Sequence, residues 1–405
     1  MSTYAPLLHP HESVETGDRT MVLNMGPQHP STHGVLRLVL EIDGEIVVNI
    51  APDIGYLHTG IEKTCEAKFY QQVVPLTDRI DYLCPMTNNL AYCLAVEKLL
   101  GLEIPERAQY LRVLLNELTR IQSHLVWLGT HAMDVGALTV FLYCFREREE
   151  LLRIFEAVSG QRMMTSYVRV GGVALEVPLG LFAQIRAFLK SFPDKIAEYE
   201  GLLNNNPIWQ GRLKGVGLLS AEDAIALGVT GPPLRASGVD FDMRRDMPYS
   251  IYNKFSFKVP TSDVGDVWAR YVVRMQELRE SVKICQQALD GMPRTGRIVA
   301  DAPKIILPDR EQMKTQMESL IHHFKIVTEG FGVPAGEVFV TIEAPRGLMG
   351  YYVVSDGTAK PYRVHMRNPG FATLQALETM CKGRLLADVV AVIGSIDIVL
   401  GEIDR

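Results

Sequence analysis

The chain has 405 residues, 47% of them hydrophobic and 22% charged, and a formal net charge of −6; this is globular composition with length for more than one domain, and its negative balance argues against a nucleic-acid surface. No uncharged apolar run reaches the roughly 18 residues that would span a membrane, and the first twenty residues lack a hydrophobic signal core. Six cysteines are present, none spaced as Cys-x-x-Cys, which fits reduced thiols in a cytoplasmic protein and leaves no cluster of about four thiolates for an iron–sulfur centre of its own.

In chain order, residues 1–20 read as a loose arm that could dock on a partner. Residues 21–65 read as β-rich. Within them lies Gly26-Pro27-Gln28-His29-Pro30-Ser31-Thr32-His33-Gly34, where two prolines bias the backbone toward extended geometry and two glycines bracket the segment. The histidines should therefore ride on a tight loop between strands, aimed at a ligand or merely at solvent. Asp43-Gly44 then marks a hairpin turn. Gly55-Tyr56-Leu57-His58-Thr59-Gly60 is a second glycine-bracketed loop, with His58 expected as a turn residue packing on the hairpin.

Residues 66–335 read as a helical core. Helical periods cover Asn88 to Leu100, Pro105 to about His131, and Thr139 to Val158. The second carries a stripe of Leu111, Leu114, Leu115, Leu118, Ile121, Leu125 and Leu128. Further helices are expected over Leu179 to Leu203, broken or kinked at Pro193, over Val264 to Leu289, and over Arg310 to Thr328. Gly215 to Pro260, rich in Gly, Pro and aromatics, predicts long ordered loops, with Arg235, Arg244 and Arg245 either at an interface or solvated. Residues 336–405 return to strands over Glu337 to Glu343, Gly350 to Ser355 and Pro361 to Arg367, followed by helix and a buried apolar segment, Leu386 to Ile393. So apolar a tail is either packed inside or covered by a partner. His322-His323 sit on a helix where neighbours diverge by about 100°, so they are assigned a structural role.

Two distant segments, Arg79-Ile80-Asp81-Tyr82-Leu83-Cys84 and Asp397 to Arg405, resemble the metal-holding frame of nickel–iron hydrogenase large subunits with the thiolates removed. Asp81 and Cys84 stand in one cysteine pair, Val399 and Glu402 in the other, and Arg405 where a terminal His would be. A soft thiolate cage needs its sulfurs, so the frame is kept and the metal chemistry is not. That combination, with Gly26 to Arg37, Asp53 to Gly60, Ala95 to Leu100, Asp134 to Thr139, Ser319 to Lys325, Val354 to Gly357 and the final Gly401 to Arg405, resembles the 49 kDa (D-type) family of subunits of proton-pumping NADH–quinone oxidoreductase, respiratory complex I, from Met21 onward.

The resemblance implies an α+β, hydrogenase large-subunit-like fold, with a multi-helix core flanked by β-containing ends. It also implies a bacterial subunit of the peripheral arm, on the cytoplasmic side of the plasma membrane. Its partners would be the terminal [4Fe–4S] subunit, the 30 kDa-type subunit and the quinone-channel membrane subunit. NADH, FMN and the clusters would lie on other subunits, and ubiquinone or menaquinone would be the substrate. His33 and Tyr82 are carried over as ligands of the quinone headgroup, Asp134 as the partner of His33, and Arg79 and His124 as residues near the neighbouring subunit's cluster; no metal is assigned to this chain. A true hydrogenase is opposed by the missing thiolates. A zinc hydrolase using His29 and His33 lacks an evident third ligand and a His-Glu-x-x-His motif. A pure scaffold subunit is opposed only by the resemblance.

Overall fold

The Asp43-Gly44 turn closes the expected hairpin. Strand β1 (Thr20–Met25) pairs antiparallel with β2 (Arg37–Asp43), and β2 with β3 (Ile46–Asp53). Alternation sends Leu38, Leu40 and Ile42 to one buried face. The structure, a computed structural model, describes residues 20–32 and 34–405. The histidine loop returns on itself through Gly26, whose φ is +88° and where a Cβ would lie 2.1 Å from the Leu36 carbonyl oxygen; only glycine closes this loop so tightly.

Helices α1 (Ile61–Glu66) and α2 (Tyr70–Thr77) lead into α3 (Pro85–Leu100), which stops at Gly101 with φ +64°. Helix α4 (Glu106–Asp134) is the axis of the molecule, flanked by α3 and by α5 (Leu138–Ser159). Its leucine stripe is fully buried, as the periodicity predicts, but its polar side is buried too. After a two-residue β pair, β4 (Val168–Arg169) with β5 (Gly172–Val173), α6 (Leu179–Leu203) runs unbroken through Pro193. The expected break is absent because Phe188, Leu189, Phe192, Ile196 and Tyr199 bury one stripe on both sides of it. That burial offsets one missing backbone donor.

Helix α7 (Pro207–Leu213) precedes the central segment, whose expected ordered loops are interrupted by the short helices α8 (Ala221–Ala226), α9 (Pro232–Ala236) and α10 (Met243–Asp246) and a 3-10 turn at Tyr252–Lys254. Pro at the first turn of α7 and α9, and side-chain caps from Asn206, Ser220 and Asp242, start them. Arg235 and Arg244 are neither solvated nor on a surface: both are buried, and only Arg245 is exposed. Helix α11 (Val267–Gly291) packs along α4, and the helix expected over Arg310 to Thr328 divides at Gln316 into α12 (Arg310–Thr315) and α13 (Met317–Glu329). Strands β6 (Gly336–Ala344), β7 (Gly347–Ser355) and β8 (Arg363–Arg367) form an antiparallel sheet over α3. The chain ends through α14 (Pro369–Gln375), α15 (Leu377–Cys381), α16 (Leu386–Ile396) and α17 (Leu400–Asp404).

Two large apolar cores result. One joins the N-terminal sheet to α4–α6, α11 and the C-terminal helices; the other joins α1–α3 to β6–β8. Between them runs a buried ionic seam. Arg235 donates to Glu277 at 2.5 Å and to Glu343 at 2.8 Å, while Arg244 reaches Asp242 at 2.7 Å and Glu117 at 3.2 Å. Burial pushes the Glu277 carboxyl up, but Arg235 and His124 outweigh it and hold the group well below its usual range. Asp242, with Arg244 and Arg235 beside it, is likewise held at about 2 despite burial. These two groups stay ionised in the fold to lower pH than in the unfolded chain. Their stabilisation is present above the ordinary carboxylate range and is lost as the pH falls through the folded values. Arg235→Ala should strand the ionised Glu277 carboxylate and destabilise by about 3–5 kcal/mol, read as a lower urea midpoint of the purified subunit with most of the loss recovered at acid pH.

Candidate functional site

The loop between α2 and α3 and the C-terminal tail meet at the seam between the cores. Asp81 opens a tight turn whose carbonyl accepts from Cys84 N at 3.0 Å and whose Oδ1 accepts from Leu83 N at 3.1 Å. Pro85 then starts α3. That turn leaves Tyr82 and Leu83 half-buried and turns Asp81 and Cys84 inward. The Cys84 thiol donates to Asp81 Oδ2 at 2.7 Å.

From the β6–β7 turn, Arg346 enters the same space. Its guanidinium donates to Asp81 Oδ2, to the Asp397 carbonyl at 2.7 Å and to Asp397 Oδ1 at 3.2 Å. Asp397 adopts φ +54° at the end of α16, a left-handed turn that sends the chain into α17. Glu402 follows, fully buried, with Oε1 accepting from Gly370 N at 2.9 Å. A Cβ on Gly370 would lie 2.2 Å from that oxygen, so glycine there is what admits the carboxyl.

The expected alternative for the tail resolves toward burial. Asp404 Oδ1 and Oδ2 accept from Gly55 N at 2.8 Å and Leu57 N at 2.6 Å, and its carbonyl lies 2.7 Å from His58 Nδ1. His58 is thus a turn residue, and it fastens the second glycine-bracketed loop to the C-terminus. Arg405 donates to the Met366 carbonyl at 2.5 Å and lies over Phe371.

The electrostatics follow from crowding three carboxyls about one guanidinium. Burial, then Asp81, pushes the Glu402 carboxyl up to about 8, with Arg346 opposing. Burial, then Asp81, raises the Tyr82 phenol above its usual range, so it stays protonated at neutral pH. The Cys84 thiol is raised far by burial and by Asp81. A nickel cage of the hydrogenase kind does not fit these residues: they offer a single sulfur, held as a thiol, and a guanidinium already lies against the carboxylates. Among the described residues no group of three His, Cys, Asp or Glu side chains is arranged for a metal.

The profile of a family described as "Respiratory-chain NADH dehydrogenase, 49 Kd subunit" matches residues 134–405. The chain belongs to this 49 kDa subunit family. A profile described as nickel-dependent hydrogenase matches residues 59–164, the half of the frame that carries the Asp81–Cys84 turn. A D-type subunit of the NADH-quinone oxidoreductase of Koribacter versatilis (strain Ellin345) is 74% identical over 98% of this chain and 99% of that protein. The D-type counterpart from Solibacter usitatus (strain Ellin6076) is 66% identical over 96% and 95%, and that from Geotalea uraniireducens (strain Rf4) 58% identical over 95% and 98%. As a 49 kDa-type chain it is an oxidoreductase subunit of complex I, working with the other subunits of that complex.

Of the residues the sequence singles out for this 49 kDa-type chain, His33 lies outside the described residues. Tyr82 lies beside the Arg346 cluster. Asp134 is half-buried at the last turn of α4, one turn beyond His131, which is buried between Trp127 and Trp209. Arg79 is exposed, donating to the Pro75 carbonyl at 2.6 Å. His124 is fully buried, its Nε2 2.9 Å from Glu277 Oε2. Burial holds His124 below its usual range although Glu277 opposes this; Glu277 is ionised, so the ring proton belongs on Nε2. Sequence reasoning missed Arg346, which lies in no motif beyond a strand-joining Arg-Gly. The only signal for it is an excess of acidic residues, Asp81, Asp397 and Glu402, in the two segments of the frame.

Gly401 tests the seating of the tail. A Cβ there would lie 2.7 Å from the Ile80 carbonyl oxygen and 3.0 Å from that of Arg79. Gly401→Ala should cost about 1–3 kcal/mol by overpacking, lowering the thermal midpoint and exposing Arg405 to carboxypeptidase.

Proposed function

We propose that this complex I subunit forms the quinone headgroup site, with His33 and Tyr82 as its ligands and Asp134 as the partner of His33. What supports the reading is Tyr82: a half-buried phenol at the edge of the buried cluster, in the segment that carries the hydrogenase-like frame. Reducing a quinone to its quinol takes two electrons and two protons. A [4Fe–4S] cluster on the neighbouring subunit supplies the electrons. His33, ordinarily titrating near pH 6.5, and the protonated Tyr82 donate hydrogen bonds to the two carbonyl oxygens and polarise them toward the reduced form. Asp134 stabilises the His33 imidazolium. When that proton leaves, Asp134 loses its compensation in a poorly solvated place, a charge change able to drive a conformational step that serves proton translocation.

Arg79, exposed and with no ion-pair partner among the described residues, is suited to face the neighbouring cluster. A cation there favours the reduced cluster. His124 is the second candidate for that role; with Glu277 on Nε2 it is held neutral until the cluster's charge draws a proton in. The direct partners are the terminal [4Fe–4S] subunit, the 30 kDa-type subunit and the quinone-channel membrane subunit. FMN and NADH are held elsewhere in the complex, and quinone, as ubiquinone or menaquinone, is the substrate. No helix among the described residues is long and apolar enough to cross a membrane, in keeping with a peripheral subunit; its place by this reading is the cytoplasmic side of the plasma membrane.

Tyr82→Phe keeps the ring and removes one hydroxyl, a hydrogen bond worth on the order of 1–3 kcal/mol in a dry cavity. Quinone reduction by the assembled complex should fall by about tenfold or more, mainly through weaker headgroup binding. NADH oxidation with an artificial acceptor that bypasses the quinone should be unchanged. His33→Ala should also impair quinone reduction but with an altered pH profile. Wild-type rate and KM in Tyr82→Phe, with short- and long-tailed quinones alike, would make Tyr82 a packing residue.

A further inference from the structure

Asp81 and Asp397 pair with the guanidinium of Arg346 in a space closed to solvent, Arg274 also acts on Asp397, and the buried Glu402 carboxyl adds a third acid to the cluster without an ion pair of its own among the described residues. With all three carboxyls ionised the two guanidiniums would leave an excess negative charge beside Tyr82; one retained proton removes it. Low-dielectric surroundings make that excess charge costly. The hydrogen bonds indicate which carboxyl holds the proton. The Asp81 carboxyl accepts from Arg346, the Leu83 N–H and the Cys84 thiol. The Asp397 carboxyl pairs with Arg346 through Oδ1 at 3.2 Å, its Oδ2 has no hydrogen-bond partner among the described residues, and Arg274 adds a second cation acting on it. Glu402 has no cation within ion-pair distance among the described residues. Its Oε1 accepts one backbone N–H, and its buried Oε2 has no hydrogen-bond partner among them.

The remaining groups around Glu402 do not alter this ranking. From the α14 side come the Gly370 N–H and the Asn368 amide, which donates to the Glu402 carbonyl at 2.8 Å. From the sheet comes Arg367, which donates to the Leu348 and Gly228 carbonyls; it lies beyond ion-pair distance of Glu402, and its charge acts on that carboxyl through space. From the α2–α3 loop come Asp81, Tyr82 and Cys84, either negative or neutral.

We propose that the cluster retains one proton at neutral pH on Glu402, and that Glu402 is thereby a positioning residue for quinone reduction at Tyr82. Neutral Glu402 leaves negative charge free to build on the quinone oxygen that Tyr82 contacts, and leaves the phenol a good donor. Ionised Glu402 opposes both. The direction of the Tyr82 shift agrees, since the Glu402 charge raises that phenol. This inference rests on the assignment of Tyr82 to the quinone headgroup.

The test uses the assembled complex. Glu402→Gln is neutral at every pH and nearly isosteric. It should keep quinone reduction within about twofold of wild type at pH 7 and flatten the decline toward pH 9, where a group titrating near pH 8 keeps only about one-tenth of its protons. The bypass assay with an artificial acceptor should show no such difference. A variant inactive at pH 7 although assembled, or one whose pH profile matches wild type, would overturn the proposal. Infrared spectroscopy supplies a readout independent of turnover. Wild type should show the carbonyl stretch of a buried carboxylic acid that fades between pH 7 and 9, is missing in Glu402→Gln and is displaced in Glu402→Asp. Should neither variant assemble, the absence of a fading band in wild type still refutes the proton. Loss of the band with Tyr82→Phe fully active would refute the quinone reading and leave the proton in place.

Discussion

One guanidinium holds this molecule's two halves in register. Arg346, on the hairpin of the C-terminal sheet, binds Asp81 from the α2–α3 loop and Asp397 from the end of α16. Those three segments belong to different apolar cores, and apolar packing alone is tolerant of small slides between them. A planar fork with fixed donor directions is not. Removing any partner leaves a buried charge uncompensated, so the arrangement is specified more strongly than it is stabilised. Tyr82, next to Asp81 in the chain, inherits that fixed position.

The same logic extends along the seam. Arg235 also donates to the Phe241 carbonyl, Arg120 to that of Glu343, Arg270 to that of Gly217, and Arg274 to that of Ser395. Phe241 and Gly217 lie in the irregular backbone of the central segment, whose carbonyls are satisfied in this way, while the bonds to Glu343 and Ser395 tie the seam to β6 and to the end of α16. Arg274 also lies 4.5 Å from the Trp127 ring centroid, spreading its charge over an aromatic face. The long helix α4 is buried on every side because its polar face looks onto this seam and not onto water.

The C-terminal segment is tied to the N-terminal sheet and to the loops that follow it. Asp404 caps the Gly55–Leu57 loop, Gly401 lets α17 lie against the Arg79–Ile80 backbone, and Gly383 and Arg384 pair with Val47 at the edge of the N-terminal sheet. In the hydrogenase-like frame these are the two strands of chain that would close on a metal. Here carboxyls, a thiol and an arginine close on one another, so the frame persists as an ionic lock next to a phenol. Ionic pairs can do this because, like a metal, they join side chains from distant segments through directed contacts.

Residue order alone determined the periodic elements. The Asp43-Gly44 hairpin, the leucine stripe of α4, the Gly101 stop and the three C-terminal strands all follow from patterns of two to about seven residues. Local order also carried the family resemblance, since its motifs are contiguous strings, and through it the choice of Tyr82. It misjudged Arg235 and Arg244 because the cost of a buried charge depends on what lies across the interface, and those neighbours are 42 residues away for Arg235 and Glu277 and 127 for Arg244 and Glu117. It passed over Arg346, whose partner Asp81 is 265 residues away. The charge state of Glu402 belongs to the same class: a glutamate near a terminus reads as a solvated anion, and only the closing of three carboxyls around one cation, out of reach of water, decides otherwise.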